Sequence, residues 1–160
     1  MGVTTRGLAA GAALLMVFGL GASAAAPTRA EAERGVRRAL VRLNQLLANR
    51  DMDILDEFSP APDTLLVTAA GERCRGRGEL EAYFKSRFAQ PTTAVYSWRE
   101  VEVSVRGDTA WLHAEGESVQ TDAKGEVTRH PLRLAGVLEP HGKRWQWRFF
   151  QGTAAASFSA

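Results

Sequence analysis

Apolar and polar positions alternate with a period of two through most of the stretch from Ala94 to Thr153, and with a helical period through much of the first half. Val101, Val103 and Val105 stand against Glu102 and Ser104, the pattern of a strand with one wet face. Turn residues divide the region at Arg106-Gly107-Asp108, Asp122-Ala123-Lys124-Gly125 and Pro140-His141-Gly142-Lys143. Gly and Asp at such places supply the positive φ angles that short hairpins need. The pattern therefore predicts four strands, Tyr96–Val105, Thr109–Gln120, Val127–Glu139 and Arg144–Thr153. Joined by short turns, they form an antiparallel meander with one apolar face to cover.

The first half supplies the cover. Thr28-Arg29-Ala30-Glu31 has the spacing of a capping box, and Val36, Leu40, Leu43 and Leu47 follow at helical intervals, which predicts a helix over 29–48. Gly35 inside it lowers helix propensity by about 1 kcal/mol relative to Ala. A short helix over 53–58, burying Ile54, Leu55 and Phe58, stops at Ser59-Pro60-Ala61-Pro62, because the residue before a proline is pushed out of the helical region. Thr64–Thr68 and Glu72–Arg75 read as a short hairpin, and Gly76-Arg77-Gly78 breaks the pattern before a third helix over 79–88. That helix carries Leu80, Tyr83, Phe84 and Phe88 on one face. Helices followed by a run of antiparallel strands make an α+β domain with helices packed on one face of the sheet.

Residues 1–26 have a different composition. Arg6 is followed by an apolar run from Leu8 to Leu20 and by Ala22-Ser23-Ala24, the order of a secretory signal with a small-x-small cleavage site. The run is shorter than the roughly 20 residues a bilayer span needs. The expected organisation is a signal over 1–24, one domain over 25–153 and a disordered tail over 154–160, with the mature protein periplasmic or secreted and not membrane-bound. The 160 residues are 45% hydrophobic and 24% charged, an ordinary globular balance. Twenty Lys and Arg against 18 Asp and Glu, scattered rather than striped, give no nucleic-acid footprint. Cys74 is the single cysteine, so no internal disulfide is available. It reads either as a thiol activated by Arg73 and Arg75 or as a half-buried small apolar residue. His113, His130 and His141 lie on separate segments, and no metal site or cofactor is expected.

Three stretches carry a resemblance to a known family: Asn49-Arg50-Asp51-Met52-Asp53 at the exit of the first helix; Gly71-Glu72-Arg73 with Arg75-Gly76-Arg77-Gly78-Glu79-Leu80; and the hairpin from Val101 to Trp111. With the closing Gly142-Lys143-Arg144-Trp145-Gln146-Trp147, the chain resembles the SnoaL-like domains of the nuclear-transport-factor-2-like superfamily, from about Glu31 to Thr153. The resemblance implies a curved sheet wrapped as a cone around the helices, a pocket at the open end and a homodimer formed through the sheet. It implies no single activity, because its members include isomerases, cyclases, dehydratases, ligand binders and interaction modules.

By alternation, Trp145, Trp147, Phe149 and Gln151 share one face of the last strand, placed toward the cavity. The expected ligand-binding wall is Leu66, Tyr83, Phe84, Trp98, Trp147 and Gln151, a mostly apolar lining with few polar groups. Arg133, on an otherwise apolar strand, faces either this pocket, where it would bind a carboxylate bidentately, or the outer sheet. Trp111, His113 and Glu115 share a face opposite Ala110, Leu112 and Ala114. They form an acid-base pair with an aromatic neighbour if turned inward, or an outer-face dimer seam if turned outward. Asp63 is either a desolvated base or a loop-stabilising acceptor, and Tyr83 either a hydrogen-bond donor to a carbonyl or core. No spacing among these implies catalysis. The reading is an exported, non-catalytic binder of a small, largely apolar molecule. Its alternatives are an isomerase, cyclase or dehydratase working next to a carbonyl, and a homodimeric interaction scaffold.

Overall fold

The computed structural model describes residues 27–155, so the segment read as a signal and positions 156–160 of the expected tail lie outside the described residues. Helix α1, Arg29–Asn49, starts at the predicted capping box: the Thr28 side chain accepts from the Glu31 amide, and the Thr28 amide donates to Glu31 Oε2 at 2.8 Å. It ends at Arg50, which takes the left-handed conformation with φ 54° and donates its amide to the last turn. The short helix is a 3₁₀ segment, Met52–Glu57, capped by the Asp51 side chain. Strands β1, Leu65–Val67, and β2, Arg73–Arg75, form the expected hairpin.

Helix α2 runs Gly76–Ala89, three residues earlier than the glycines suggest. Gly76 opens it rather than breaking it. With φ +70°, its α-carbon faces the Pro62 carbonyl so closely that a Cβ would stand 3.1 Å from that oxygen, and its amide donates to Thr64 O at 2.8 Å. Only glycine combines that φ with that approach at low cost.

Strands β3, Thr93–Arg106, β4, Thr109–Thr121, β5, Val127–His141, and β6, Arg144–Ala154, follow as the meander. The sheet order is β2-β1-β6-β5-β4-β3, with β1 parallel to β6. Ala154, expected in the tail, pairs with Leu132 as the last residue of β6. The curved sheet wraps the helices, and its inner face supplies Ala110, Leu112, Ala114, Leu134 and Leu138 to a core shared with Val36, Leu40 and Leu43 of α1. Each fully buried Leu or Val contributes about 1.5–3 kcal/mol relative to an exposed one.

Two bulges shift the phase of the alternation. In β3 the register slips between Trp98 and Glu100, so Ala94, Tyr96 and Trp98 face inward before it and Val101, Val103 and Val105 after it. In β6 the slip falls at Arg148, so Trp145 and Trp147 face inward before it and Phe150 and Gly152 after it. An extra residue in one strand of a pair has this effect. Phe149 and Gln151 therefore point to the outer face, and the four-residue face predicted from strict alternation is corrected.

Glycines make room at these places. Gly116 lies under the Ser97 carbonyl and Trp98 backbone, where a Cβ could not fit. The Trp147 ring covers Gly136, and a Cβ on Gly35 would come within 2.6 Å of the Trp145 ring. The helix glycine that costs propensity thus lets α1 approach a tryptophan of the sheet.

Beside that packed end, Glu57 is only 2% exposed. Arg42 holds it bidentately, with Nε–Oε1 at 2.8 Å and Nη2–Oε2 at 2.6 Å, and Arg144 stands 3.6 Å away. A buried carboxylate is tolerable only when so paired. Arg42→Ala leaves it with Arg144 alone and is expected to cost about 3 kcal/mol in urea unfolding, the lower end for a broken buried pair. A loss below about 1 kcal/mol would show that the carboxylate does not depend on Arg42.

Candidate functional site

A cavity of about 620 Å³ opens at one end of the sheet. Each meander strand contributes the portion lying at that end: Ala94 and Tyr96 from the start of β3, Ser118 and Gln120 from the end of β4, Leu132 from early β5, and Phe150 and Gly152 from late β6. The helices close it with Leu43 and Leu47 of α1, Phe58 after the 3₁₀ segment, and Tyr83, Phe84 and Arg87 of α2. Phe84 packs on Phe58 and Tyr83, with ring centroids 5.8 and 5.1 Å apart. The wall is thus largely aromatic and aliphatic, with polar side chains from the β1–β2 turn, α2 and the loop after it, and strands β3, β4 and β5.

Asn44 fixes one of these groups. β3 is an edge strand, and such a strand presents unpaired backbone groups on its free side. Asn44 of α1 meets two of them at once: its Nδ2 donates to Tyr96 O and its Oδ1 accepts from Tyr96 N, both at 2.8 Å. The amide side chain acts as a one-residue strand and pins Tyr96 at the cavity. The chain after α2 is held by two arginines: Arg50 donates to the carbonyls of Phe88 and Pro91, and Arg87 Nη1 donates to Thr92 O at 3.3 Å.

Burial pushes the Tyr83 phenol well above its ordinary range, and Tyr96 and the Glu72 carboxylate add to the effect while Arg87 opposes it. Burial likewise raises Tyr96, again against Arg87. A phenol resists ionisation when desolvated because the charged form loses most. Both are therefore neutral hydroxyl donors at physiological pH. Glu72 and His130, which also line the cavity, belong to exposed residues and so stand at its mouth. Glu72 Oε2 accepts from the Thr68 hydroxyl at 3.2 Å.

Leu66, Tyr83 and Phe84 line the cavity as anticipated from the sequence; Trp98, Trp147, Gln151 and Arg133 do not. Trp147 is 0% exposed in the packed end, its ring over Gly136 and 5.3 Å from Phe150. Trp98 packs on Tyr96 beyond the cavity, at 5.4 Å between centroids. Gln151 lies on the outer face, past the β6 bulge. Arg133 is also outside, its Nε 3.0 Å from Glu115 Oε1. Ala110, Leu112 and Ala114 take the inner face, so Trp111, His113 and Glu115 take the outer one. Asp63 is exposed and paired with Arg148. Cys74 is buried between outward-facing Arg73 and Arg75, and burial, with Glu72 and Glu79, pushes its thiol up. It is not an activated thiolate. Among the described residues no group of three or more His, Cys, Asp or Glu is placed to hold a metal ion.

Sequence reasoning missed Tyr96, Arg87 and Asn44. Tyr96 had a signal, because Ala94, Tyr96 and Trp98 alternate out of phase with Val101, Val103 and Val105, which marks a bulge. Arg87 had one too, being one helical turn after Tyr83.

A curved six-stranded sheet around two α-helices, with an aromatic cavity at one end, defines a cone-shaped α+β class. The chain belongs to the SnoaL-like domain family, whose sequence profile matches residues 36–154. Solved structures share the fold. A candidate dehydratase of the nuclear-transport-factor-2-like family from Streptomyces avermitilis superposes with a TM-score of 0.73 at 16% identity, covering 81% of this chain and 100% of that one. A superfamily protein from Salmonella enterica gives 0.72 at 12%, covering 83% and 97%. A ketosteroid isomerase-like protein from Erwinia carotovora gives 0.63 at 19%, covering 78% and 96%. No curated protein matches the sequence. Members of this fold are often isomerase- or dehydratase-type enzymes or ligand binders, and the identities are low enough that the likeness shows fold alone.

The chain has two tyrosines, and both line the cavity, so tyrosinate absorbance reads the site directly. Both folded pKa values are raised, so the stability they contribute is complete below the unfolded value of about 10 and is lost as pH rises through the folded values. In the native protein, tyrosinate should therefore appear only well above about pH 10 and together with loss of circular dichroism, whereas urea-unfolded chain titrates near 10. Two phenols ionising at their ordinary pH in folded protein would contradict the buried placement.

Proposed function

We propose that this protein binds a small, largely apolar molecule in the cavity and does not transform it. The observation that carries the reading is the wall itself. Protein interiors normally pack to crystal-like density, whereas here Leu66, Phe58, Phe84, Tyr83, Tyr96 and Phe150 surround an open volume of about 620 Å³, within the range of small-molecule sites. The enzymatic alternative needs a proton acceptor against the substrate. His113, Glu115 and Asp63, offered by the sequence, stand outside the cavity, and the lining groups Glu72 and His130 are exposed. Among the other lining groups, the Tyr83, Tyr96 and Ser118 hydroxyls can donate or accept hydrogen bonds but do not serve as a base at neutral pH.

The reading includes export, supported by Arg6, the apolar run to Leu20 and the small residues at Ala22-Ser23-Ala24. Native mass spectrometry of protein exported under its own leader and purified without detergent tests both parts. The expected spectrum shows a chain shortened by the leader and a small-molecule adduct that is lost on denaturation. Ala94→Phe, which puts a ring into the cavity from β3, should abolish the adduct while leaving far-ultraviolet circular dichroism intact. An adduct retained unchanged in that variant would place the ligand elsewhere.

Two copies pair through the outer face of the sheet in this reading. Trp111 is 48% exposed there, beside the half-buried Val137 and Phe149 in a shallow groove, and an exposed tryptophan with apolar neighbours suits an interface. Trp111→Lys should shift the sedimentation coefficient from dimer to monomer; a wild-type protein that sediments as a monomer at micromolar concentration removes the pairing.

A further inference from the structure

We infer that the ligand carries a carboxylate, received by Arg87 together with the hydroxyls of Tyr83 and Tyr96. This rests on the cavity being a ligand site, and it names the class of ligand. Arg87 lines the cavity and is half-buried. The other half-buried arginines are all occupied: Arg42 by Glu57, Arg148 by Asp63, and Arg50 by two backbone carbonyls. Arg87 has no carboxylate within ion-pair distance among the described residues. Among the described residues its one hydrogen bond, from Nη1 to Thr92 O, leaves the Nε and Nη2 donors without a protein acceptor. A guanidinium on a cavity wall with free donors is placed to receive an anionic acceptor bidentately.

The phenols point the same way. Tyr83 lies one helical turn before Arg87, and Tyr96 is pinned opposite by Asn44. Burial raises both phenols, and Arg87 is close enough to each for its charge to oppose that rise, which places the guanidinium and the two hydroxyls at one corner of the cavity. Neither hydroxyl is hydrogen-bonded to a protein group among the described residues. Three groups with protons to donate thus stand at the cavity with no carboxylate paired to them among the described residues. Their complement is a group that only accepts, and an ionised carboxylate does. One guanidinium matches one negative charge. A doubly charged phosphate would bring a second negative charge toward the Glu72 carboxylate at the mouth. The remaining wall is apolar, so the ligand is an aryl or alkyl carboxylic acid with its head at α2.

The test uses naphthoate and its neutral analogue naphthamide, titrated calorimetrically into the full mature protein at neutral pH. Naphthoate should bind wild type at least about ten-fold tighter than naphthamide, as a charge-assisted hydrogen bond to a buried donor predicts. Arg87→Gln should weaken naphthoate by about ten- to a hundred-fold and naphthamide by less than about two-fold. Arg87→Lys should keep part of the preference, since it keeps charge without the planar fork. Tyr83→Phe, which leaves the loop bond to Thr92 intact, guards against a folding artefact and should also weaken the acid selectively. Equal affinity for the two probes, or a preference that survives Arg87→Gln, overturns the carboxylate subsite and leaves the apolar cavity standing. If neither probe binds wild type, both readings fall.

Discussion

Two single-residue slips in the sheet decide what this fold can do. A sheet with strict alternation presents one inner face whose residues are all odd or all even along a strand. In β3 and β6 the parity changes partway along, so each strand sends one set of side chains into the packed end and the other into the cavity end. Without the slip at Arg148, Phe149 and Gln151 would face inward, and Phe150 and Gly152, both cavity-lining, would not. Without the slip beyond Trp98, the strand would have to choose between Tyr96 and the valines that cover α1. Gly116 is the local condition for the β3 bulge, since any side chain there would collide with the Ser97 carbonyl.

The two ends follow different physical rules. At the packed end, Trp145 and Trp147 lie on Gly35 and Gly136, and Glu57 is sealed in with Arg42. Close packing of large rings on bare backbone fixes α1 against the sheet there. The same helix then carries Asn44 to the other end, where a pair of 2.8 Å hydrogen bonds sets the position of Tyr96. The placement of a cavity donor thus depends on helix–sheet packing more than two turns away along α1. Arg50 and Arg87 extend this arrangement to the loop after α2, replacing missing helix-end partners with guanidinium donors.

The strands, the capping box and the order of elements were legible in the sequence because each rests on local chemistry: turn glycines, β-branched alternation, a Thr and a Glu at fixed spacing. The inner surface of the sheet was only partly legible. Leu66, Tyr83 and Phe84 reach the cavity from elements whose facing follows from simple periodicity. Trp147, Gln151 and Trp98 were misplaced because their position depends on bulges and on how far the packed end extends. Periodicity carries the first weakly and the second not at all. Arg133 was ambiguous for a different reason: its ion pair with Glu115 is a cross-strand contact on the outer face, visible only once the register is known. Gly35 reads as a defect in a helix and is a contact in the fold.

The chemistry of the cavity also bears on how this domain relates to the enzymes that share its fold. A proton-transfer site needs an acceptor and a donor held against the same substrate. Here two desolvated phenols and the Arg87 guanidinium supply donors, while Glu115 and His113 are turned to the outer face by the same pleat that buries Ala114 and Leu112, and the lining carboxylate and imidazole, Glu72 and His130, belong to exposed residues at the mouth. That choice of face is fixed by packing: exchanging it would put a carboxylate and an imidazole under the helices and expose Leu112. Donors at such a corner suit the proposed recognition of a group that already carries negative charge. Stabilising charge that develops during a reaction would require, in addition, a base in contact with the bound molecule.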